Sequence, residues 1–196
     1  MTATVIRQMF GSDTHAEIVR YLRDIGPILP KNRDDEFCRY YVHNSPFFVS
    51  IHRQIAEYAS QIFGEPVKPS YSFLSLYEPG GICPIHIDRP QCRYTIDYLI
   101  EQTSADPWPI YISDPITEET RERLLGISRD RQPTEGPEFE EVYAEAENWT
   151  GYDLRPDDAI CYSGTHSIHY RDRLPSGRAS LIFWHFVPVA FTGDLG

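Results

Sequence analysis

The sequence predicts a single, mainly β domain with flanking helices (α+β), a jelly roll with its N-terminal helices packed outside. Three observations predict it. Short apolar and aromatic segments recur between turn residues from Pro69 to Val187, two amphipathic helical patterns precede them, and 196 residues with 41% hydrophobic and 13% aromatic side chains suffice for one core and are short for two.

The first helix is expected over Asp13 to Ile25, where Ile18, Val19, Leu22 and Ile25 recur at helical spacing behind Ser12 or Asp13 as cap. A second is expected from Ser45 to Gly64, with Pro46 at its first position and Ile51, Ile55, Ala59 and Ile62 on one face. Residues 1–68 are therefore read as helical support for a barrel core over 69–187. In that core the strands expected are Tyr71 to Tyr77, Ile82 to Ile87, Arg93 to Ile100, Pro109 to Ser113, Ala159 to Tyr162 and Ser180 to Val187. Turn residues separate them, among them Pro79-Gly80-Gly81, Pro107, Pro156-Asp157-Asp158 and Pro175-Ser176-Gly177. The segment 116–149 stands apart: it holds ten of the 29 acidic residues and four arginines. A short helix is expected near Thr117 and a loop over Arg129 to Glu138. As a whole the segment reads either as a solvated surface excursion or as a lid or partner-binding insertion.

Charge and composition exclude several function classes. With 18 basic against 29 acidic residues and a formal charge of -11, a phosphate backbone would be repelled, so no nucleic acid is expected as partner. No apolar run has transmembrane length, and MTATVIRQMFGSD lacks the layout of a signal peptide, so a cytoplasmic protein with no membrane association is expected. Cys38, Cys83, Cys92 and Cys161 have no zinc-finger spacing and read as reduced thiols. The sequence carries no signal for oligomeric state.

The chemistry is expected at His86-Ile87-Asp88, where two side chains two residues apart at a strand end converge on one point. His166 and His169 are the candidate third ligands. Two histidines and a carboxylate leave open positions of the kind that non-haem Fe(II) uses, although these donors alone do not exclude zinc or manganese. In a strand, Arg178 and Ser180 share a face with Ile182 and Trp184, so a guanidinium and a hydroxyl would project from an apolar wall as a carboxylate socket.

The layout Tyr77-Glu78-Pro79-Gly80-Gly81 to His86-Ile87-Asp88, then Tyr94 to Leu99, Pro156-Asp157-Asp158-Ala159, and His169 with Arg178 and Trp184, resembles the prolyl-hydroxylase-like branch of the Fe(II)/2-oxoglutarate-dependent dioxygenases. Within it, Pro69-Ser70-Tyr71-Ser72, His86 to Cys92, Trp108 to Ile112 and His169-Tyr170-Arg171 are similar to a group of small bacterial oxygenases. The resemblance implies a double-stranded β-helix with His86, Asp88 and His169 as iron ligands, His169 being preferred to His166 for its spacing to Arg178 and Trp184. It further implies that Arg178 holds the distal carboxylate of 2-oxoglutarate, assisted by Ser180 and Tyr98, with Tyr77 lining the same pocket. Fe(II), 2-oxoglutarate and O2 are the expected cofactor and cosubstrates, and succinate and CO2 the expected by-products.

Asp88 stands where related halogenases carry a small residue, which disfavours halogenation. Trp184 stands where nucleic-acid demethylases carry a second arginine. Hydroxylation of a small metabolite, an amino acid or natural-product intermediate, is thus the expected reaction, with a protein or peptide side chain as the alternative. Arg89, Arg93, Arg171 and Arg173, clustered around the metal motifs, are candidate substrate contacts together with Trp184. Readings of other classes are a cupin metalloenzyme that does not use 2-oxoglutarate and a non-enzymatic binding module.

Overall fold

The computed structural model of the protein describes residues 1–25, 27, 31–130 and 132–196, and their side chains except at 25 and 126–130. A seven-stranded sheet runs in the order β1 (Thr4–Ile6), β9 (Ala159–Tyr162), β6 (Tyr94–Gln102), β11 (Ala179–Pro188), β4 (Val67–Tyr77), β3 (Arg39–His43) and β2 (Asn32–Asp34). A four-stranded sheet runs β5 (Cys83–His86), β10 (His169–Arg171), β7 (Ile110–Ile112) and β8 (Thr150–Tyr152). The strand pairs are antiparallel. The two sheets face one another as a jelly roll.

Each face of the large sheet has its own partner. On one side Leu74, Ile96, Tyr98, Ile100, Ile182, Trp184 and Phe186 pack against α1 (Gly11–Ile25), α2 (Pro46–Gln54) and α3 (Ala56–Phe63), through Ile18, Leu22, Phe48, Ala59 and Phe63. On the other, Tyr77, Leu99, Ile160, Tyr162, Ala179 and Leu181 meet Trp108, Ile110 and Ile112 between the sheets. Because β11 is apolar toward both layers, it reads as a nearly continuous hydrophobic run.

Three expectations change. The single helix from Ser45 to Gly64 is two helices, parted at Ile55 (φ -87°, ψ 0°), the second stopping at Gly64 in the left-handed region (φ 74°). Residues 1–68 are more than helical support, since β1, β2 and β3 extend the large sheet at both ends. The expected loop 129–138 is shorter: α4 (Glu118–Asp130) runs into it and α5 (Gly136–Ala144) begins in it, leaving 132–135 non-helical, residue 131 lying outside the described residues. Both helices cover the outer face of the small sheet with Leu124, Phe139, Val142 and Tyr143, while acids such as Glu119, Glu122, Glu140 and Glu141 point to solvent. No described helix is long and apolar enough to cross a membrane. The four cysteines are free, Cys92 and Cys161 buried and the other two partly so.

His52 of α2 lies in the helix-side layer with its ring edge against Phe186 (4.6 Å) and no partner for Nε2. Burial pushes its pKa down to about 3, with the nearby His185 adding to the effect. Its folded value lies below its unfolded value, so its contribution to stability is complete above about pH 6.5 and is lost as the pH falls toward 3. In chemical denaturation His52→Leu should therefore lose less stability between pH 7 and pH 4 than the parent, by roughly 3 kcal/mol at pH 4.

Candidate metal centre and its cavity

The turn after β4 uses Gly80 at φ +83° and is closed by hydrogen bonds from Gly81 N to the Glu78 carbonyl (2.8 Å) and from Gly80 N to the Leu174 carbonyl (2.9 Å). It delivers the chain into β5, whose pairing with β10 sets His86 opposite His169, ring centroids 4.2 Å apart. Each ring is aimed by its other nitrogen: Nδ1 of His86 donates to the Pro84 carbonyl (2.7 Å) and Nδ1 of His169 to the Ser167 carbonyl (2.9 Å). Both Nε2 atoms are left as acceptors facing Asp88 Oδ1, at 3.4 and 3.9 Å. The three candidate ligand atoms lie within 4.8 Å of one another.

Asp88 is held from several sides. Its N–H donates to the Gly164 carbonyl (2.8 Å), and its Oδ2 accepts from Thr95 Oγ1 (3.1 Å), which also meets His185 Nδ1 (3.0 Å). Burial opposes ionisation of Asp88, but the nearby imidazoles of His169, His86 and His185 outweigh it and hold the carboxyl well below its ordinary range. Burial, with His86 adding, pushes His169 down to about 4, so the imidazole is neutral at pH 7. An ionised carboxylate and a neutral imidazole are the forms that bind a divalent metal. A second cluster, Asp88 with Cys92 and His185, shares the carboxylate, but burial pushes the Cys92 thiol well up and keeps it protonated.

The centre opens into a cavity of about 570 Å³ between the sheets, lined by Tyr77, Cys83, Ile110, Tyr162, Arg171 and Arg39 among others. Arg171, two residues from His169 and on the same face of β10, is almost fully buried. Its Nη2 donates to Asp97 Oδ2 (2.8 Å), its Nη1 to the Trp108 carbonyl (2.8 Å), and its guanidinium lies 4.9 Å from the centre of the Trp108 ring. Arg39 donates to Asp34 Oδ2 and to the Tyr77 hydroxyl, both at 3.2 Å.

Several residues expected in the cavity lie elsewhere. Arg178 precedes β11 and is exposed, its backbone paired with Thr103. Ser180 sits opposite Leu76, on the face of β11 that carries Ile182 and Trp184 toward the helices. Tyr98 belongs to the same layer, hydrogen-bonded to His15 (2.6 Å) and Asp157 (3.0 Å). Trp184 is buried there too, its Nε1 donating to the Phe48 carbonyl (3.1 Å). The physical reason is common to these residues: period-two alternation groups them on one face, and that face turned outward. Arg93 is bound to Thr165 and His166, and His166 also to Glu118, which takes both away from the metal cluster. Arg173 is exposed and reaches the Gly80 carbonyl. Tyr77, Arg89 and Arg171 do line the cavity.

The sequence reading missed Arg39, Thr95, Gly164 and His185. Arg39-Tyr40-Tyr41-Val42-His43 carries a readable strand signal, whereas the role of Gly164 shows only in space. A Cβ there would lie 2.1 Å from Asp88 Oδ2. Gly164→Ala should push the carboxylate off its position and weaken Fe(II) or Zn(II) binding by about 10–100-fold in a competition titration with a chelator dye. The Arg171–Asp97 pair makes a separate prediction. Arg171→Met leaves Asp97 buried without its cation and should cost about 3–5 kcal/mol in urea unfolding, most of it recovered by Arg171→Met with Asp97→Leu.

No protein-family model matches the sequence, and no curated protein matches it. Solved structures match the fold along nearly the whole chain. The crystal structure of the non-haem α-ketoglutarate-dependent carbocyclase SnoK from nogalamycin biosynthesis superposes with a TM-score of 0.75 at 13% identity, over 99% of this chain and 82% of that one. HygX from Streptomyces hygroscopicus, with nickel and 2-oxoglutarate bound, gives 0.65 at 12% identity over 97% and 84%. A Pseudomonas putida prolyl-4-hydroxylase gives 0.62 at 11% identity over 95% and 92%. The chain thus has the jelly-roll fold of the non-haem iron, 2-oxoglutarate-dependent oxygenases.

Proposed function

We propose that this protein is an Fe(II)- and 2-oxoglutarate-dependent dioxygenase that hydroxylates an unactivated C–H bond of a small molecule. The observation that carries the reading is the convergence of His86 Nε2, His169 Nε2 and Asp88 Oδ1 at the wall of a cavity that also holds buried guanidinium groups. The donor set fits the metal: two imidazoles that present Nε2 and one ionised carboxylate, each oriented by a second hydrogen bond, with the cavity side left open. Cys83 lines the cavity as well, but burial pushes its thiol up to about 11, so no thiolate competes as a ligand at neutral pH.

His86, Asp88 and His169 would hold the iron. In place of Arg178, Arg171 and Arg39 flank Tyr77 and would receive the distal carboxylate of the cosubstrate. The Tyr77 hydroxyl accepts from Arg39 and keeps its own proton to donate. Bound together, iron and 2-oxoglutarate supply the oxidising equivalents from O2, with release of succinate and CO2. The chain's own part is to fix the ligands, neutralise the cosubstrate's charge and exclude water behind Trp108, Ile110 and Tyr162, all nearly fully buried.

One observation favours a second reading, a metalloenzyme that does not use 2-oxoglutarate. Arg171 and Arg39 already carry carboxylate partners in Asp97 and Asp34. A single titration separates the two. Under anaerobic conditions Fe(II) and then 2-oxoglutarate are added to the full-length protein, and the weak visible charge-transfer band of the chelate is followed. The band should appear in the parent, be lost in His169→Ala, be unchanged in Arg178→Ala and need roughly tenfold more 2-oxoglutarate in Arg39→Gln. Metal binding without a band would leave the second reading standing.

A further inference from the structure

The cavity has two unlike walls. Opposite the metal residues, β3, β4 and β11 line it with Tyr41, His43, Tyr71, Phe73 and Phe183. The strand register makes these rings continuous, because Phe73 lies directly between His43 and Phe183. The His43 and Phe73 rings meet edge to face at 4.8 Å, Tyr41 stacks on Phe73 at 5.2 Å with 18° between planes, and Tyr71 lies 5.6 Å from His43. None of these rings is fully buried. Tyr41 is stacked on Phe73 and the Arg39 guanidinium lies over the Phe73 ring (5.3 Å), so this wall offers ring edges and the remaining open faces, an apolar surface that is costly to leave wet and against which an aromatic body can pack.

Charge completes the picture. Of the three cavity-lining guanidinium groups, Arg171 is paired with Asp97 and Arg39 with Asp34. The third, Arg89, directly follows Asp88 in the chain, is exposed, and its side chain has no hydrogen bond or ion pair with any described residue. Its charge is felt at His43 and Tyr71, which places it beside the aromatic plate. An unpaired cation at the rim would repel an ammonium group that the rings alone would attract.

We infer that the substrate is a small aromatic carboxylate, its ring packed against the Tyr41, Phe73 and Phe183 rings and its carboxylate held by Arg89. This inference rests on the oxygenase reading and narrows it: saturated and cationic substrates are disfavoured. The geometry calls for a ring and an anion in one molecule, since either feature alone would use only one wall of the site.

The test is a binding measurement on the full-length protein, read by saturation-transfer NMR and calorimetry. The probes are 3-phenylpropionate, 3-phenylpropionamide, 3-cyclohexylpropionate and phenethylamine. The acid should bind about tenfold more tightly than its amide, several-fold more tightly than the cyclohexyl acid, and phenethylamine least. Arg89→Gln should abolish the preference for acid over amide and keep the preference for the aromatic ring. Phe73→Leu should do the reverse, and Tyr41→Leu, at the edge of the plate, repeats that arm should Phe73→Leu fold poorly. Equal binding of acid and amide, an acid preference that survives Arg89→Gln, or no binding of any probe overturns the inference. If the chelate band forms and these preferences are absent, only the substrate class falls. If the preferences hold and no band forms, the oxygenase reading falls and the aromatic-acid site stands.

Discussion

The site depends on one backbone constraint, the antiparallel pairing of β5 with β10 that sets His86 opposite His169. A one-residue slip would turn either imidazole to the far face of the small sheet, where Ile85, Ile168 and Tyr170 pack under α4 and α5. The register is therefore enforced by the hydrophobic layer behind it as much as by the ladder in front. The acidic segment contributes to that layer through Leu124, Phe139 and Val142. Its solvated acids and its structural role thus coexist, and the Pro133 carbonyl, accepting from Ile85 N at 3.1 Å, ties the segment to the strand that carries His86.

Around the metal residues the polar groups form a graded set. At the centre, an ionised Asp88 sits beside His169 and His185, which burial keeps neutral. Farther in, Arg171 and Asp97 neutralise one another in a region with almost no solvent, where burial nonetheless pushes the Asp97 carboxyl upward against the pull of Arg171. At the rim, Arg89 is exposed and its side chain has no hydrogen bond or ion pair with any described residue. The sequence of paired interior charge, metal donors and free outer cation divides the cavity into a closed end and an open, aromatic end.

Much of the fold was legible because hydrophobic periodicity is a local property. The first amphipathic helical pattern, the aromatic run ending at Tyr77 and the apolar run Leu181 to Trp184 became the elements that their periods predict, and the second helical pattern became two consecutive helices. The strands that escaped notice, β1, β2, β8 and β10, have three residues each, too few to show a period. At β3 the strand signal of Tyr40, Tyr41 and Val42 was readable, but Arg39 and His43, directed to a cavity and not to a core, gave no sign of which face was functional. His86, Asp88 and His169 were found by spacing and resemblance, and the structure brings them together.

By itself the sequence determined the fold class, the strand that leads into the His86 and Asp88 pair, and the presence of arginine near both His86-Ile87-Asp88 and His169. Only the tertiary structure decided which arginines line the cavity beside His86, Asp88 and His169. A strand's period of two sorts side chains into two sets but does not say which set turns inward, and β11 is apolar on both faces, so its pattern breaks no symmetry. The helical layer claimed the face with Ser180, Ile182 and Trp184, leaving Leu181, Phe183 and His185 for the interior. With that choice Arg178 fell outside, and Arg171, Arg39 and Arg89, on different elements and far apart in the chain, came to surround one cavity.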